Sequence, residues 1–416
     1  MLRHSVQRLW ELWPGARIDV LTFSAERLER YCPGTTAYLM PLNPGNPRAC
    51  ERHWTGSMAG SMTASRDDLG TRFWTEGKGP LERAFRTRAS ALQARLIADA
   101  PAVALELMRG RRRRQGLYET ICQANLVVAT GGGYLTSMFP GNLLGTLSTL
   151  TLAADCDTPT ALLGQGLGPI DDPGLRRITR RVFRGVGLIA LRERRAGLPL
   201  LRSLGIAEDR IMVSGDDAIE AAHALRPPLL GSELGIGLRV TGYSGIDATH
   251  VARIKVAMQR AARHLRVSLV PLPISFHDDE DANTLQELTS GYGAGSNGGR
   301  ELQEVDEVVL KAGQCRVVVA GSYHAGVFAL SQGVTVVGLA RSSYYMDKFM
   351  GLADQFGAGC IPMRLDGPGL EDRLYDAILL AWASAEVHRT AILEAAVHQV
   401  DAGRRAYARL RSLVKV

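Results

Sequence analysis

The sequence predicts an α/β protein with two doubly wound domains, each a parallel sheet covered by helices, that face each other across a cleft. Three observations predict this class. Short apolar strands alternate with helical stretches along most of the chain, as in sheets that are buried on both faces. The proline-rich stretch "RPPLLGSE" at 226–233 stops one series of these units, and a second series then begins. The length of 416 residues is typical of two or three domains.

The first series of units occupies the N-terminal half. Apolar residues recur at helical spacing in "VQRLWELW" at 6–13 and predict a helix near the start. Residues 43–80 are rich in Gly, Pro, Ser and Arg and predict a long irregular loop. A helix is expected at 174–185. Strands are expected at 17–23, 36–42, 125–133, 159–169, 187–193 and 209–218.

The second series centres on residues 315–340, where a buried strand, a tight turn, a small-residue helix and another buried strand follow one another. A Tyr-rich loop with one Lys, "SSYYMDKF", comes next. Further strands are expected at 234–240 and 267–274, and helices at 249–265, 301–313 and 371–412.

These patterns set the expected domain limits. An N-terminal domain spans 1–228, a C-terminal domain spans 229–370, and residues 371–416 are expected to form helices.

Composition narrows the class of function. The net charge is +7, yet only five of the 49 basic residues are Lys and the Arg are spread along the chain. The dense run "RGRRRR" at 109–114 fits a solvated face as well as a phosphate-binding patch, so nucleic acid is not the expected partner. No segment is apolar enough to span a membrane, and the first residues lack a signal-peptide core. Six scattered Cys indicate free thiols in the cytoplasm rather than a disulfide frame or a zinc site.

Several motifs stand where strands end, and ligands of doubly wound sheets bind at the carboxyl ends of strands. In "ATGGGYL", Gly131, Gly132 and Gly133 are expected to join a strand to a helix, where the backbone approaches an anion or simply turns tightly. In "GQGLGP", Gln165 either donates to a ligand or shapes a turn.

Charged residues follow two further strands. Arg192, in "ALRERRAG", either pairs with a nearby acid or faces an anionic ligand. In "SGDDA", one of Asp216 and Asp217 caps the next helix, and the other reaches the cleft.

His324 lies just past the strand "VVVAGS", where a helix begins. A helix-capping or buried structural His is one interpretation. The small residues Ala325 and Gly326 favour the other, since they let the helix sit close to the cleft. Lys348 follows the next strand among aromatic residues and is expected at the same edge of the sheet. The acidic stretch "SFHDDED" at 275–281 indicates a solvated loop more than a metal site.

Taken in order, these motifs resemble those of the polysaccharide pyruvyl transferase family. The matching stretches are "LVVATGGGYL", "GQGLGP", "ALRERRAG", "DRIMVSGDDA" and "GSYHAGVFALSQGVTVVGL", within residues 120–350. The resemblance implies a fold like that of GT-B glycosyltransferases, with two Rossmann-like domains facing a cleft. It also implies that the C-terminal helices, residues 371–416, pack back on the N-terminal domain. It also implies transfer of a pyruvyl group from phosphoenolpyruvate to a sugar of a surface polysaccharide or its lipid-linked precursor, as a ketal.

By the same resemblance, Arg192, His324 and Lys348 line the donor site, with the glycine turn nearby. The donor carries a phosphate and a carboxylate, which Arg binds in bidentate fashion. His324 is expected to protonate the methylene carbon of the donor, or to bind its phosphate. Asp217 or Asp278 is expected to accept the proton of the sugar hydroxyl. No cofactor and no metal are expected.

The chain departs from the family at two places. The family tends to begin with a strand and an Asn-x-Gly-Asp loop before its first helix, whereas this chain begins at the helix, so by the resemblance the N-terminal domain is expected to lack its first strand. The second departure is at a functional position. The family usually has an Arg two residues before the His, where this chain has Ser322. That donor contact is either missing or supplied by Arg341, and Ser322 and Tyr323 are expected to line the same site.

Two other functions stay open. A GT-B glycosyltransferase that uses a nucleotide-sugar would share the fold, and a non-catalytic family member would bind a glycan without turnover. The expected partners are phosphoenolpyruvate and a glycan or lipid-linked oligosaccharide. The expected location is the cytoplasm, at the inner face of the membrane as a peripheral protein, and a homo-oligomer is a further expectation.

Overall fold

The computed structural model describes residues 1–22, 24–39, 112–276, 280–292 and 296–414. Within them the strands β1 to β12 are Asp19–Thr22, Thr36–Leu39, Val127–Ala129, Gly132–Leu135, Thr160–Leu167, Leu188–Leu191, Ile211–Val213, Glu233–Gly237, Leu269–Pro271, Cys315–Ala320, Thr335–Ala340 and Cys360–Arg364. The helices α1 to α13 are Leu2–Leu12, Ala25–Tyr31, Arg112–Gln123, Pro140–Asp155, Pro173–Phe183, Gly197–Ser203, Ala218–Ala224, Ala248–Leu265, Glu280–Thr289, Val305–Gly313, Tyr323–Ser331, Ser343–Phe356 and Leu370–Arg409.

Two parallel five-stranded sheets organise the molecule. The first has the order β3-β5-β6-β7, with β4 also paired to β5, and the second has the order β12-β11-β10-β8-β9. The strands β1 and β2 form a separate parallel pair. The predicted α/β class with two parallel sheets is therefore confirmed.

The second sheet brings α11 close to its edge. Its central strands β10 and β11 are apolar runs of "CRVVVA" and "TVVGLA", buried on both faces as expected for a parallel sheet. A Cβ added at Gly237, the last residue of β8, would lie 2.5 Å from the Cβ of Ala325 in the first turn of α11. The absence of a side chain at Gly237 thus lets the start of α11 pack against β8, as the small residues of this helix suggested.

The helix α13 contacts both sheets. Its first part buries Ile378 against the second sheet, and Ile392 joins the core around α11. Its last part packs Ala406 and Tyr407 on Leu163 of β5. The domain limits 1–228, 229–370 and 371–416 remain a prediction.

Two expectations about local structure are wrong. The glycine turn does not lead into a helix, because Gly132–Leu135 pairs with β5 as a further strand and the next helix begins at Pro140. Lys348 does not lie in a loop, because residues Ser343–Phe356 form α12, capped by the side chain of Ser342. The burial of Tyr345 and Phe349 on one face of that stretch explains the helix.

The five cysteines among the described residues divide into two groups. Cys122 and Cys156 form a disulfide between α3 and the end of α4, which pack side by side with a Cα–Cα distance of 5.1 Å. The expectation of free thiols is therefore wrong for this pair. Cys32, Cys315 and Cys360 are free and buried.

Some predictions fall on residues outside the described ranges. These include the loop at 43–80, the first part of the arginine run and Asp278. Among the described helices, none has the length and apolarity needed to cross a membrane.

Candidate functional site

The carboxyl ends of strands from both sheets meet at one place. Arg192 follows β6 directly, and its backbone N–H donates to the carbonyl of Gln165 at 3.0 Å. Asp216 lies between β7 and α7, also in the first sheet. His324 comes from the first turn of α11 and Lys348 from α12, both in the second sheet. The structure thus brings together the Arg, His and Lys that the sequence singled out.

Arg192 is buried and stacked. It is only 3% exposed, and the carbon of its guanidinium lies 4.2 Å from the ring centroid of Tyr323. A Cβ at Gly166 would lie 2.5 Å from this guanidinium, and one at Gly133 would lie 3.0 Å from it. These glycines therefore make room for Arg192. The hydroxyl of Tyr344 donates to the carbonyl of Gly133 at 3.0 Å and joins the two halves of the site.

Asp216 lies between two potential partners. Its Oδ1 accepts a hydrogen bond from the backbone N–H of Ala218 at 2.9 Å. Its Oδ2 lies 3.6 Å from Nη1 of Arg192 and 3.8 Å from Nε2 of His324. Both distances exceed those of a hydrogen bond, so neither partner is engaged closely.

The imidazole of His324 is held neutral by its surroundings. Burial lowers its pKa to about 4, Asp216 opposes this effect, and the charge of Arg192 adds to it. The side chain as a whole is 25% exposed, while Nε2 is buried. The ring therefore reaches solvent at one edge and points its Nε2 into the site.

Lys348 lies among aromatic rings. Its Nζ is 3.9 Å from the ring centroid of Tyr344 and 4.8 Å from that of Tyr345. Burial lowers its pKa to about 6, and the positive charges of Arg192 and Arg239 lower it further. The carboxylates of Asp216 and Glu193 oppose these effects only in part. An anionic ligand would restore its charge.

Polar atoms without partners concentrate at this site. Buried polar atoms are normally hydrogen-bonded, so such a concentration indicates a polar ligand. In the described part of the chain, the buried atoms here that lack a hydrogen-bond partner are Arg192 Nε, Asp216 Oδ2, Ser322 Oγ, Tyr323 OH and His324 Nε2.

The start of α11 adds backbone donors. The first N–H groups of a helix have no partner within it and attract anions. Ser322 is the N-cap of α11, but its hydroxyl accepts no capping hydrogen bond. The site therefore combines cations with free helix N–H groups, an arrangement that suits a small anion with two or more charges.

Asp217 faces away from His324. Its Oδ2 accepts hydrogen bonds from the hydroxyls of Ser5 and Tyr407, both at 3.3 Å. It is 6% exposed, and burial, followed by the charge of Asp216, raises its pKa to about 6. A Cβ at Gly131 would lie 3.0 Å from its Oδ2. The structure thus places Asp217 against α1 and α13, and Asp216 against His324.

Two other predicted residues have structural partners. The amide of Gln165 lies within β5 and donates to the carbonyls of Ala129 and Thr130. Arg341 is 43% exposed and forms an ion pair with Asp366 at 2.5 Å. Neither contacts His324.

Sequence reasoning missed Arg239 as a site residue. It lies two residues beyond β8, the strand that pairs with β10. Its positive charge acts to lower the pKa of Lys348 and the pKa of Tyr345. A signal was present, because an Arg closes the apolar run "LGIGLR" just as Arg192 closes "LIALR".

Comparisons with known proteins give a family and a fold. The family model described as Polysaccharide pyruvyl transferase matches residues 62–343. No curated protein sequence matches the chain.

Three solved structures illustrate the fold. Arabidopsis thaliana UGT89C1 complexed with quercetin has a TM-score of 0.52 at 10% identity, covering 99% of this chain and 95% of that one. A glycosyltransferase from Rickettsia africae has a TM-score of 0.51 at 11% identity, covering 99% and 94%. The spinosyn rhamnosyltransferase SpnG has a TM-score of 0.50 at 15% identity, covering 99% and 95%. At these identities the likeness concerns the fold alone, and that fold is GT-B.

Proposed function

This chain belongs to the polysaccharide pyruvyl transferase family, and we propose that it transfers a pyruvyl group from phosphoenolpyruvate to a sugar. The acceptor is a hydroxyl of a surface polysaccharide or of its lipid-linked precursor, and the product is a cyclic ketal. The observation that carries the proposal is the meeting of Arg192, His324 and Lys348 around buried polar atoms that lack partners.

The charges of the site support phosphoenolpyruvate as the donor. Its phosphate and carboxylate need fixed cations, and Arg192 is held in place by the ring of Tyr323 and by the surrounding backbone. Lys348 and Arg239 add positive charge from the second sheet. The N–H groups at the start of α11 offer hydrogen bonds to the same anion.

His324 supports the chemical step. In the proposed reaction its imidazolium gives a proton to the methylene carbon of the donor, and the central carbon becomes electrophilic. A sugar hydroxyl forms a C–O bond to that carbon, and the proton it loses passes to the neutral His324. A second hydroxyl of the same sugar then displaces the phosphate, whose C–O bond breaks, and its proton leaves with the phosphate. The products are the ketal and inorganic phosphate, so the atoms and charges balance.

The test is phosphate release from phosphoenolpyruvate in the presence of candidate glycans. We expect release that depends on the acceptor and falls about 10²- to 10⁴-fold in His324→Ala. The matched control is His398→Ala, because His398 is exposed on α13, beside His223 and Arg226. Equal release by the parent and His324→Ala would refute the role of His324.

Thermal shift separates this function from the alternatives. A ligand that binds the folded state raises the melting temperature. Stabilisation by phosphoenolpyruvate but not by a nucleoside diphosphate supports the proposal, and the reverse indicates a nucleotide-sugar enzyme. Stabilisation by a glycan without any turnover indicates a binding protein.

A further inference from the structure

We propose that Asp216 is a positioning residue that is shared between Arg192 and His324. When an anion binds Arg192, it displaces Asp216 from the guanidinium, so that the negative charge of Asp216 acts on His324; we call this step the handover. The donor would in this way stabilise the charged form of the imidazole that the reaction needs. The identity of the donor rests on the proposed function, while the handover itself needs only an anion.

The orientation of Asp216 is fixed by the fold. Its side chain is 1% exposed, and its Oδ1 accepts the N–H of Ala218 at the start of α7. With Oδ1 held in this way, Oδ2 is directed toward the site and has no hydrogen-bond partner. The position of Oδ2 is thus fixed, although this atom forms no hydrogen bond.

The two distances from Oδ2 are nearly equal and both are long. Arg192 lies at 3.6 Å and His324 at 3.8 Å, whereas hydrogen bonds between charged groups are shorter by almost 1 Å. Arg192 and Asp216 both come from the first sheet, and His324 comes from the second. A phosphate or carboxylate on the guanidinium would compete with Asp216 for Arg192 and leave its charge to His324.

Asp216 is the acid that acts on His324. The charged groups with the strongest influence on the imidazole are Asp216, Arg192, the amino terminus at Met1 and Lys348, and the last three disfavour protonation. On its own helix, His324 lies against the rings of Tyr323 and Phe328, which carry no charge. Asp216 therefore opposes both burial and three positive charges.

The substitution Asp216→Asn removes the negative charge of the side chain while keeping its size and shape, so it tests the role of the charge alone. The side-chain oxygen of Asn can accept the same hydrogen bond from the N–H of Ala218, two residues on, as in an Asx turn. Asp216→Ala removes this hydrogen bond together with the charge, so the difference between the Ala and Asn variants gives the structural cost. The control is Glu193→Gln, since Glu193 is buried beside Arg192 and accepts backbone N–H groups of its own loop instead of facing His324.

The first measurement is the NMR titration of the His324 ring between about pH 4 and 8, without anion and with saturating inorganic phosphate or phosphoenolpyruvate. We expect either anion to move protonation of His324 to higher pH in the parent and in Glu193→Gln. In Asp216→Asn the ring should stay neutral at pH values where the parent is protonated, with or without anion. Identical titrations in the parent and Asp216→Asn, or no response of the parent to either anion, would overturn the proposal.

The second measurement separates positioning from a merely structural role. Removing the competing carboxylate frees Arg192, so Asp216→Asn should bind phosphoenolpyruvate at least as tightly as the parent while its kcat falls about tenfold or more. Weaker binding together with a lower melting temperature, as expected from Asp216→Ala, would mean that the residue only supports the fold.

The two proposals fail differently. If the parent releases no phosphate from phosphoenolpyruvate but inorganic phosphate still shifts the titration of His324 through Asp216, the proposed function falls and the handover stands. If turnover is normal but Asp216→Asn titrates like the parent, the handover falls and the function stands.

Discussion

Asp216 and Asp217 are neighbours in the chain, yet they belong to two regions with opposite character. Asp217 lies in a cluster at α1, α7 and α13 where polar groups have partners: its Oδ2 accepts from Ser5 and Tyr407, and the nearby Glu220 pairs with Arg8 and Arg404. Asp216 lies among groups whose polar atoms are buried without partners. The Asp217 cluster, here called the partnered region, thus satisfies its polar groups as folded. The surroundings of Asp216, Arg192, His324 and Lys348, here called the ligand region, leave several buried polar atoms for the ligand that the proposed function requires.

The largest effect should come from removing Arg192 from the ligand region, and it should be a loss of affinity for phosphoenolpyruvate. Arg192→Met should weaken phosphoenolpyruvate binding by about 100-fold, because a buried bidentate contact to an anion is lost. Isothermal titration calorimetry measures the affinity. Arg341→Met is the matched control, since its guanidinium is exposed and already paired with Asp366. Equal losses in both variants would show that general positive charge, not Arg192, attracts the donor.

The Asp217 cluster should instead control stability. The pKa of Asp217 is raised to about 6 by burial, so the native state binds a proton that the unfolded chain has lost. From this group, stability is greatest below about pH 4 and falls as pH rises to about 6, by about 2 to 3 kcal/mol. Urea unfolding of the parent and Asp217→Asn at several pH values measures the difference. A constant difference across that range would contradict the burial of this carboxyl.

Lys348 should make anion binding in the ligand region depend on pH. As with the stability that Asp217 controls, the affinity should fall as pH rises, but the change in free energy should be smaller. An anion stabilises the charged ammonium, so binding raises a pKa that is about 6 in the free protein. Affinity for sulfate, whose charge is constant here, should be greatest below about pH 6 and fall up to about tenfold per pH unit above it. In Lys348→Met the part of this slope that Lys348 carries should be lost, and only the weaker dependence that comes from His324 should remain. A slope unchanged by the substitution would assign the proton to another group.

The smallest effect should come from a single hydroxyl group in the partnered region. Tyr407→Phe removes the hydroxyl that lies between Ser5 and Asp217 but keeps the ring that packs on β5. We expect a loss of about 1 to 2 kcal/mol in the free energy of unfolding, with unchanged affinity for phosphoenolpyruvate. A change in that affinity would mean that the two regions are coupled through the Asp216–Asp217 backbone.

Much of this architecture could be predicted because strand ends are visible in a sequence. The alternation of apolar runs and helices indicated two parallel sheets, and Arg192 and His324 were found because each follows such a run. The orientation of adjacent side chains could not be found in this way. Which of Asp216 and Asp217 meets His324 depends on the backbone between β7 and α7, and the pattern leaves both open.

Other residues were missed for related reasons. Arg239 was assigned to the interior of a strand that ends two residues earlier. The glycine turn was expected to present helix N–H groups, but its glycines leave space for the buried side chains of Arg192 and Asp217. Such close approach between distant segments becomes visible only in three dimensions.

The most direct test of the central claim is a crystal structure of the protein with phosphoenolpyruvate. The account predicts its anionic groups within hydrogen-bond distance of Arg192, Lys348 and the first N–H groups of α11, with the methylene carbon next to Nε2 of His324. Phosphoenolpyruvate bound elsewhere, with the polar atoms of Arg192 and His324 still unpartnered, would contradict it.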